Sequence, residues 1–248
     1  MGKKFSKDYE IHYYEVDCNL NCTIKSLINF IEDIGTTQSE GLGVGIDYLN
    51  ERDMAWVFYQ YDINIKRYPR HGETIKIVTE PYGFKRFYAL RSYDMYDEEG
   101  EKIVEAKAVF FLINIEKRKA MRVPVDQYEV YGVDGDIKGN INIERLEKLE
   151  EAMYSKSFGV RYSDIDSNNH VNNTKYVEWA MESLPLEIVK EYELERIVVT
   201  FEKECHYGQE IQSKSAITEL EDNKVKSIHK IENTDGTELT KIIGYWKK

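Results

Sequence analysis

Proline is scarce, at 4 in 248 residues, and no low-complexity tract occurs, so the chain has little material for flexible linkers. Cysteine is scarcer still. The three thiols, Cys18, Cys22 and Cys205, are odd in number, which argues against a disulfide framework and fits a reducing cytoplasm. No apolar run approaches the roughly 20 residues of a membrane-spanning helix. The opening stretch, MGKKFSKDYE, has no hydrophobic segment behind its lysines, so a secretory signal is not expected there. Basic residues are outnumbered, 34 against 45 acidic ones. The net charge of -11 argues against a general nucleic-acid binder, which needs a basic surface to neutralise phosphates.

What the chain has in quantity is core material. Hydrophobic residues make up 42% and charged residues 32%, the balance of an ordinary globular protein, and 19 Tyr with 9 Phe supply packed strands. The length permits one large domain or two small ones.

An internal repeat favours two. With DCNLNCTIKSLINFIED (17–33) set beneath DIDSNNHVNNTKYVEWAMES (164–183), Asp17 falls under Asp166 and Asn19 under Asn168, an offset of 149. Further on, Gly72 falls under Gly208 and Gly100 under Gly236, both at an offset of 136. The 13-residue difference places an insertion in the first copy, at SEGLGVGIDYLNERD (39–53), whose three glycines predict a loop. The copies are expected over 1–130 and 155–248. The stretch between them (131–154) is expected as a linker with a short helix, since Ile143, Leu146, Leu149 and Met153 stand near helical spacing.

Each copy reads as a short strand, an acidic-amide motif, a helix and then four strands. Ile24, Leu27, Ile28, Ile31 and Ile34 carry helical periodicity, with Thr23 as cap. Tyr176, Val177, Ala180, Met181 and Leu184 do so in the second copy, capped by Asn172 or Asn173. The β-branched and aromatic segments that follow are joined by turn signals such as EEG and TDG. A helix followed by an antiparallel meander must bury itself on that sheet, which predicts an α+β protein.

The densest polar chemistry is DIDSNNHVNN (164–173): two carboxylates, four amides and a histidine immediately before a helix. The segment RYSDIDSNNHVNNTKYVEWAMES resembles the acyl-acyl carrier protein thioesterases, bacterial relatives of the plant plastid enzymes. The resemblance extends through INIKRYPRHGE and FEKECHYGQEI, and so over nearly the whole chain. It implies two tandem hotdog units, each a long helix wrapped by an antiparallel sheet. It implies catalytic roles for Asp166, Asn168, His170 and Glu204, with Cys205 as an alternative nucleophile. It implies an acyl carrier protein as partner and leaves room for a homodimer.

Thioester hydrolysis needs an activated water and donors for the developing oxyanion. Asp166 and Glu204 are the candidate bases, Asn168 could hold water or carbonyl, and His170 could orient substrate or shuttle a proton. The same Asp and Asn would also suit Asx-turns and caps. The first copy keeps Asp17 and Asn19 but has Asn21 in place of His170 and Tyr68 in place of Glu204, which places the chemistry in the second copy and acyl binding in the first. Glu204 is preferred to Cys205, because neighbours on a strand face opposite ways.

Tyr176 and Trp179 are expected in the core, and His12, His71, His206 and His229 on strand surfaces. Two basic islands, KRYPR with Lys66, Arg67 and Arg70, and GFKRFYALR with Lys85, Arg86 and Arg91, are either solvated strand faces or a dock for the carrier's acidic surface and phosphate. Cys18 and Cys22 are too few for zinc, so no metal and no redox cofactor are expected. Acyl-CoA hydrolysis and acyl binding without turnover are the competing readings.

Overall fold

The computed structural model describes residues 2–166 and 168–248, and the chain divides into two compact units, Met1–Ile143 and Glu144–Lys248. The first contains β1 (Phe5–Glu10), α1 (Ile24–Gly41), α2 (Ile46–Asn50), β2 (Met54–Ile65), β3 (Thr74–Lys85), β4 (Tyr88–Tyr96), β5 (Lys102–Asn114), β6 (Lys119–Ala120) and α3 (Val125–Tyr131). Its strands pair antiparallel in the order β1-β3-β4-β5-β2, with β6 beside β5.

Helix α1 starts where Thr23 Oγ1 accepts the Ser26 amide at 3.1 Å. Of its expected stripe, Leu27, Ile28, Ile31 and Ile34 are fully buried and Ile24 partly so, and each fully buried side chain is worth about 1.5–3 kcal/mol of transfer free energy. Tyr9 meets Phe30 ring to ring at 4.9 Å, and the Tyr61 hydroxyl donates to Glu32 Oε1 at 3.1 Å. Ile75 and Ile77 of β3 are buried while Lys76 between them is exposed, the two-residue period of a half-buried strand.

The second unit contains β7 (Tyr154–Gly159), α4 (Asn173–Glu182), α5 (Leu186–Glu191), β8 (Glu193–Phe201), β9 (Glu210–Glu219), β10 (Lys224–Asn233) and β11 (Glu238–Lys247). Its antiparallel order is β8-β11-β10-β9-β7. Asn172 Oδ1 caps α4 through the Thr174 amide at 2.9 Å. Trp179 stacks on Phe158 at 5.9 Å, Tyr176 meets Phe201 at 6.0 Å, and the Ser183 hydroxyl reaches Ser215 Oγ at 3.2 Å. Helix on antiparallel sheet is thus realised within each unit, the expected α+β class.

The main-chain bonds follow both offsets. Gly72 donates to Ile11 and Ile11 to Glu73; Gly208 donates to Val160 and Val160 to Gln209. Gly72 and Gly208 both have positive φ, 83° and 79°, which a side chain would strain.

Two expectations are corrected. The stretch 39–53 is not wholly a loop: α1 runs to Gly41 and α2 follows, because Tyr48 and Leu49 find a cluster containing Val44, Met54, Phe84 and Leu112 to pack against. The linker carries no helix over 141–152; the helix stands earlier, at α3. Leu146 is buried on Val198 and Ile243, while Glu144 pairs with Arg196 and Glu147 with Lys226. Three closely spaced anchors to one sheet outweigh the few tenths of a kcal/mol per residue that helix propensity supplies.

Candidate active site

In the second unit β7 leads through a single helical turn (Tyr162–Asp164) into the polar motif. Asp164 is buried and pins that turn. Burial alone would raise its carboxyl, but hydrogen bonds and charge from Arg161, with Lys175 beyond, hold it below the ordinary range.

Asp166 then folds the chain over itself. Its Oδ1 accepts the Asn168 amide at 2.8 Å and the His170 amide at 3.3 Å, its own amide donates to the His170 carbonyl, and Asn169 takes a φ of 63°. The first unit repeats this bond for bond. Asp17 Oδ1 accepts from Asn19 at 2.8 Å and Asn21 at 3.0 Å, its amide donates to Asn21, and Leu20 takes a φ of 62°. A loop shared by both copies is scaffold. The Asp166 oxygen bound here is spent on backbone, as the Asx-turn alternative requires.

The copies differ in what that scaffold presents. Val171 donates its amide to the Cys205 carbonyl at 2.9 Å, and Cys22 donates to Pro69 at 2.7 Å, so His170 with Glu204 and Asn21 with Tyr68 occupy matching positions. In the second unit His170 Nε2 lies 3.3 Å from Glu204 Oε2, with both side chains half-buried. Asn168 is exposed in the turn.

Cys205 turns the other way. It is 1% exposed, its Sγ lies 3.3 Å from Gln209 Oε1, and burial raises its thiol against a small lowering from the His206 amide. A nucleophilic cysteine needs a lowered pKa and an adjacent base; Cys205 has a raised one. Both residues lie just beyond β8 rather than on it, yet they still face apart.

Two residues that the sequence did not assign to the site lie next to it. His206, expected on a strand surface, is exposed in the β8–β9 connection with its ring centroid 5.0 Å from that of His170. The lone signal was its place two residues after Glu204. Tyr176 is core as expected, at 2% exposure, but its hydroxyl ends beside Cys205. Burial first, then the neighbouring Cys205, Glu204 and Asp166, raise it strongly. His229 is also not at a surface but buried in β10.

The basic islands are not one patch. Lys66, Arg67 and Arg70 precede β3 and Lys85 and Arg86 close it, so about 40 Å of strand separates them. Arg91 is buried against Gln38 and Thr79, which removes it from any dock. Arg67 is held by Glu73 and Asp97, and Lys85 by the Gly139 carbonyl. Lys66, Arg70 and Arg86 are exposed.

Residues 2–131 match the acyl-ACP thioesterase N-terminal domain, and residues 147–248 match the C-terminal domain. The chloroplastic oleoyl-acyl carrier protein thioesterase of Coriandrum sativum is 25% identical over 260 residues, covering 98% of this chain and 67% of that protein. The chain spans about two thirds of the length of such curated relatives. Among solved structures, a Lactobacillus plantarum protein assigned as an oleoyl thioesterase superposes with a TM-score of 0.93 at 25% identity, covering 100% of this chain and 97% of that one. The 12:0-ACP thioesterase of Umbellularia californica shares the fold, with a TM-score of 0.86 at 21% identity over 98% and 97% of the two chains. No helix among the described residues is long and apolar enough to cross a membrane. With both family domains matched, in order and over nearly all of its length, the chain belongs to the acyl-ACP thioesterase family and is a thioester hydrolase of the tandem hotdog fold.

Proposed function

We propose that this chain releases free fatty acid from acyl carrier protein, and that Glu204 and His170 carry the chemistry. The observation that supports this best is the asymmetry of two matching loops, of which one alone presents a histidine 3.3 Å from a carboxylate. Glu204 takes a proton from water as the water oxygen bonds to the thioester carbonyl carbon. Collapse of the tetrahedral intermediate breaks the C–S bond, and the thiolate of the phosphopantetheine arm departs and is protonated. His170 orients the Glu204 carboxylate and relays the proton. The Asn168 side chain donates to the oxyanion and the positive end of the α4 dipole favours that charge, while Asp166 keeps the loop in shape.

The first unit, which lacks the pair, takes the acyl chain. The carrier's acidic surface meets one of the two exposed basic ends, Lys66 with Arg70 or Arg86, since a single footprint cannot span both. Three free thiols fit the reducing cytoplasm as its location.

The test is thiol release from panels of acyl-ACP and acyl-CoA by the purified protein. Acyl-ACP should turn over fastest. His170→Asn and Glu204→Gln should each lower kcat by about 100-fold to 10,000-fold, with unchanged circular dichroism. Full activity in both variants would end the assignment, and faster turnover of acyl-CoA would change the carrier.

A further inference from the structure

His206 has no part in the reaction just described, yet it stands against the two residues that do. One ligand-type atom from each of His170, Glu204 and His206 lies within 4.8 Å of the other two. The first unit has Arg70 at the matching position, so this grouping belongs to the second unit alone. We propose that His170, Glu204 and His206 form a binding site for a divalent transition ion of the zinc type, and that its occupation switches hydrolysis off. The second half rests on the catalytic assignment of His170 and Glu204; the first half does not.

The geometry is close to what such an ion needs. Bonds of about 2.0–2.2 Å in a tetrahedral arrangement put neighbouring ligand atoms about 3.3–3.5 Å apart. His170 Nε2 and Glu204 Oε2 already stand 3.3 Å apart. The third donor has about 1.5 Å or less to close, which rotation of one side chain supplies. His206 is free to make that rotation. Its ring is exposed, and its Nδ1 contact with the Asn169 carbonyl is stretched to 3.5 Å. Its main chain is held, because the His206 amide donates to Gln209 Oε1 at 2.7 Å. Two imidazoles and a carboxylate suit zinc and leave a fourth position for water. A bound ion would occupy the Glu204 oxygen that must take the water's proton and would fix the His170 nitrogen facing it.

Titration calorimetry of the full chain with zinc sulfate alone should give one ion per chain. His206→Ala should weaken that binding by at least about tenfold, the scale reached by losing even an outer-shell partner of a metal. Thiol release from acyl-ACP should fall as zinc is added and return with EDTA. His206→Ala should keep its metal-free turnover and resist zinc. The proposal is overturned if His206→Ala binds zinc as tightly as the parent, if Cys18→Ser abolishes binding instead, or if zinc accelerates release. Should acyl-ACP not be turned over at all, calorimetry still decides the site.

Discussion

Glu204 and Cys205 are sequence neighbours with opposite surroundings, and that contrast is why the proposed mechanism uses the carboxylate and not the thiol. The carboxylate is half-buried and meets an imidazole, while the thiol is dry, raised by burial and turned to Gln209. We expect Cys205→Ala to retain at least half of the parent kcat on acyl-ACP, at a cost of about 1 kcal/mol in urea unfolding from the lost packing. A loss as deep as that of Glu204→Gln would instead make the thiol the nucleophile. Strand alternation is not the reason for this division, since both residues lie beyond β8; the burial of Cys205 alone separates them. Nothing at the same scale announced His206, whose meaning depends on which ring the β8–β9 connection brings to it.

The polar loop before α4 is an element in its own right, and its twin before α1 shows which parts are structural. Since Asp17 and Asp166 accept matching amides, Asp166→Asn, which keeps an acceptor oxygen, should hold kcat within about tenfold of the parent. Asp166→Ala should lower kcat far more by releasing the His170 backbone, and Asp17→Ala should cost about 1 kcal/mol of stability without touching turnover. Collapse of activity in Asp166→Asn would make that carboxylate a base. Helix caps, helix stripes and strands were legible because each is written in local spacing: Thr23 and Asn172 cap where expected, and Leu27, Ile28, Ile31 and Ile34 are buried. The 131–154 linker was not legible, because Leu146 is placed by Val198 and Ile243, far away in sequence.

At the scale of the whole molecule, acid tests the second unit through His229. Burial pushes its imidazole from 6.5 down to about 3; its Nε2 meets Ser227 Oγ at 2.9 Å, and its Nδ1 has no hydrogen-bond partner among the described residues. The unfolded chain takes up a proton there as pH falls through about 6.5, whereas the folded chain does not. The contribution is therefore complete above about pH 6.5 and is lost progressively between 6.5 and 3, by up to about 1.4 kcal/mol per pH unit. Urea unfolding of the parent should weaken from pH 6.5 to 4.5 by about 2 kcal/mol more than that of His229→Phe. Equal pH slopes in the two proteins would mean that this ring is not kept neutral.

The sequence by itself determined the duplication, the α+β class and the difference between the copies. Periodicity, turn glycines and a repeated motif are local signals, and two copies can be compared without knowing how either folds. Tertiary structure decided that Asp166 lends an oxygen to its own loop, that Arg91 is interior, and that His206 stands beside His170. Those facts turn on where backbone amides and distant side chains arrive, and chain spacing does not encode distance in space.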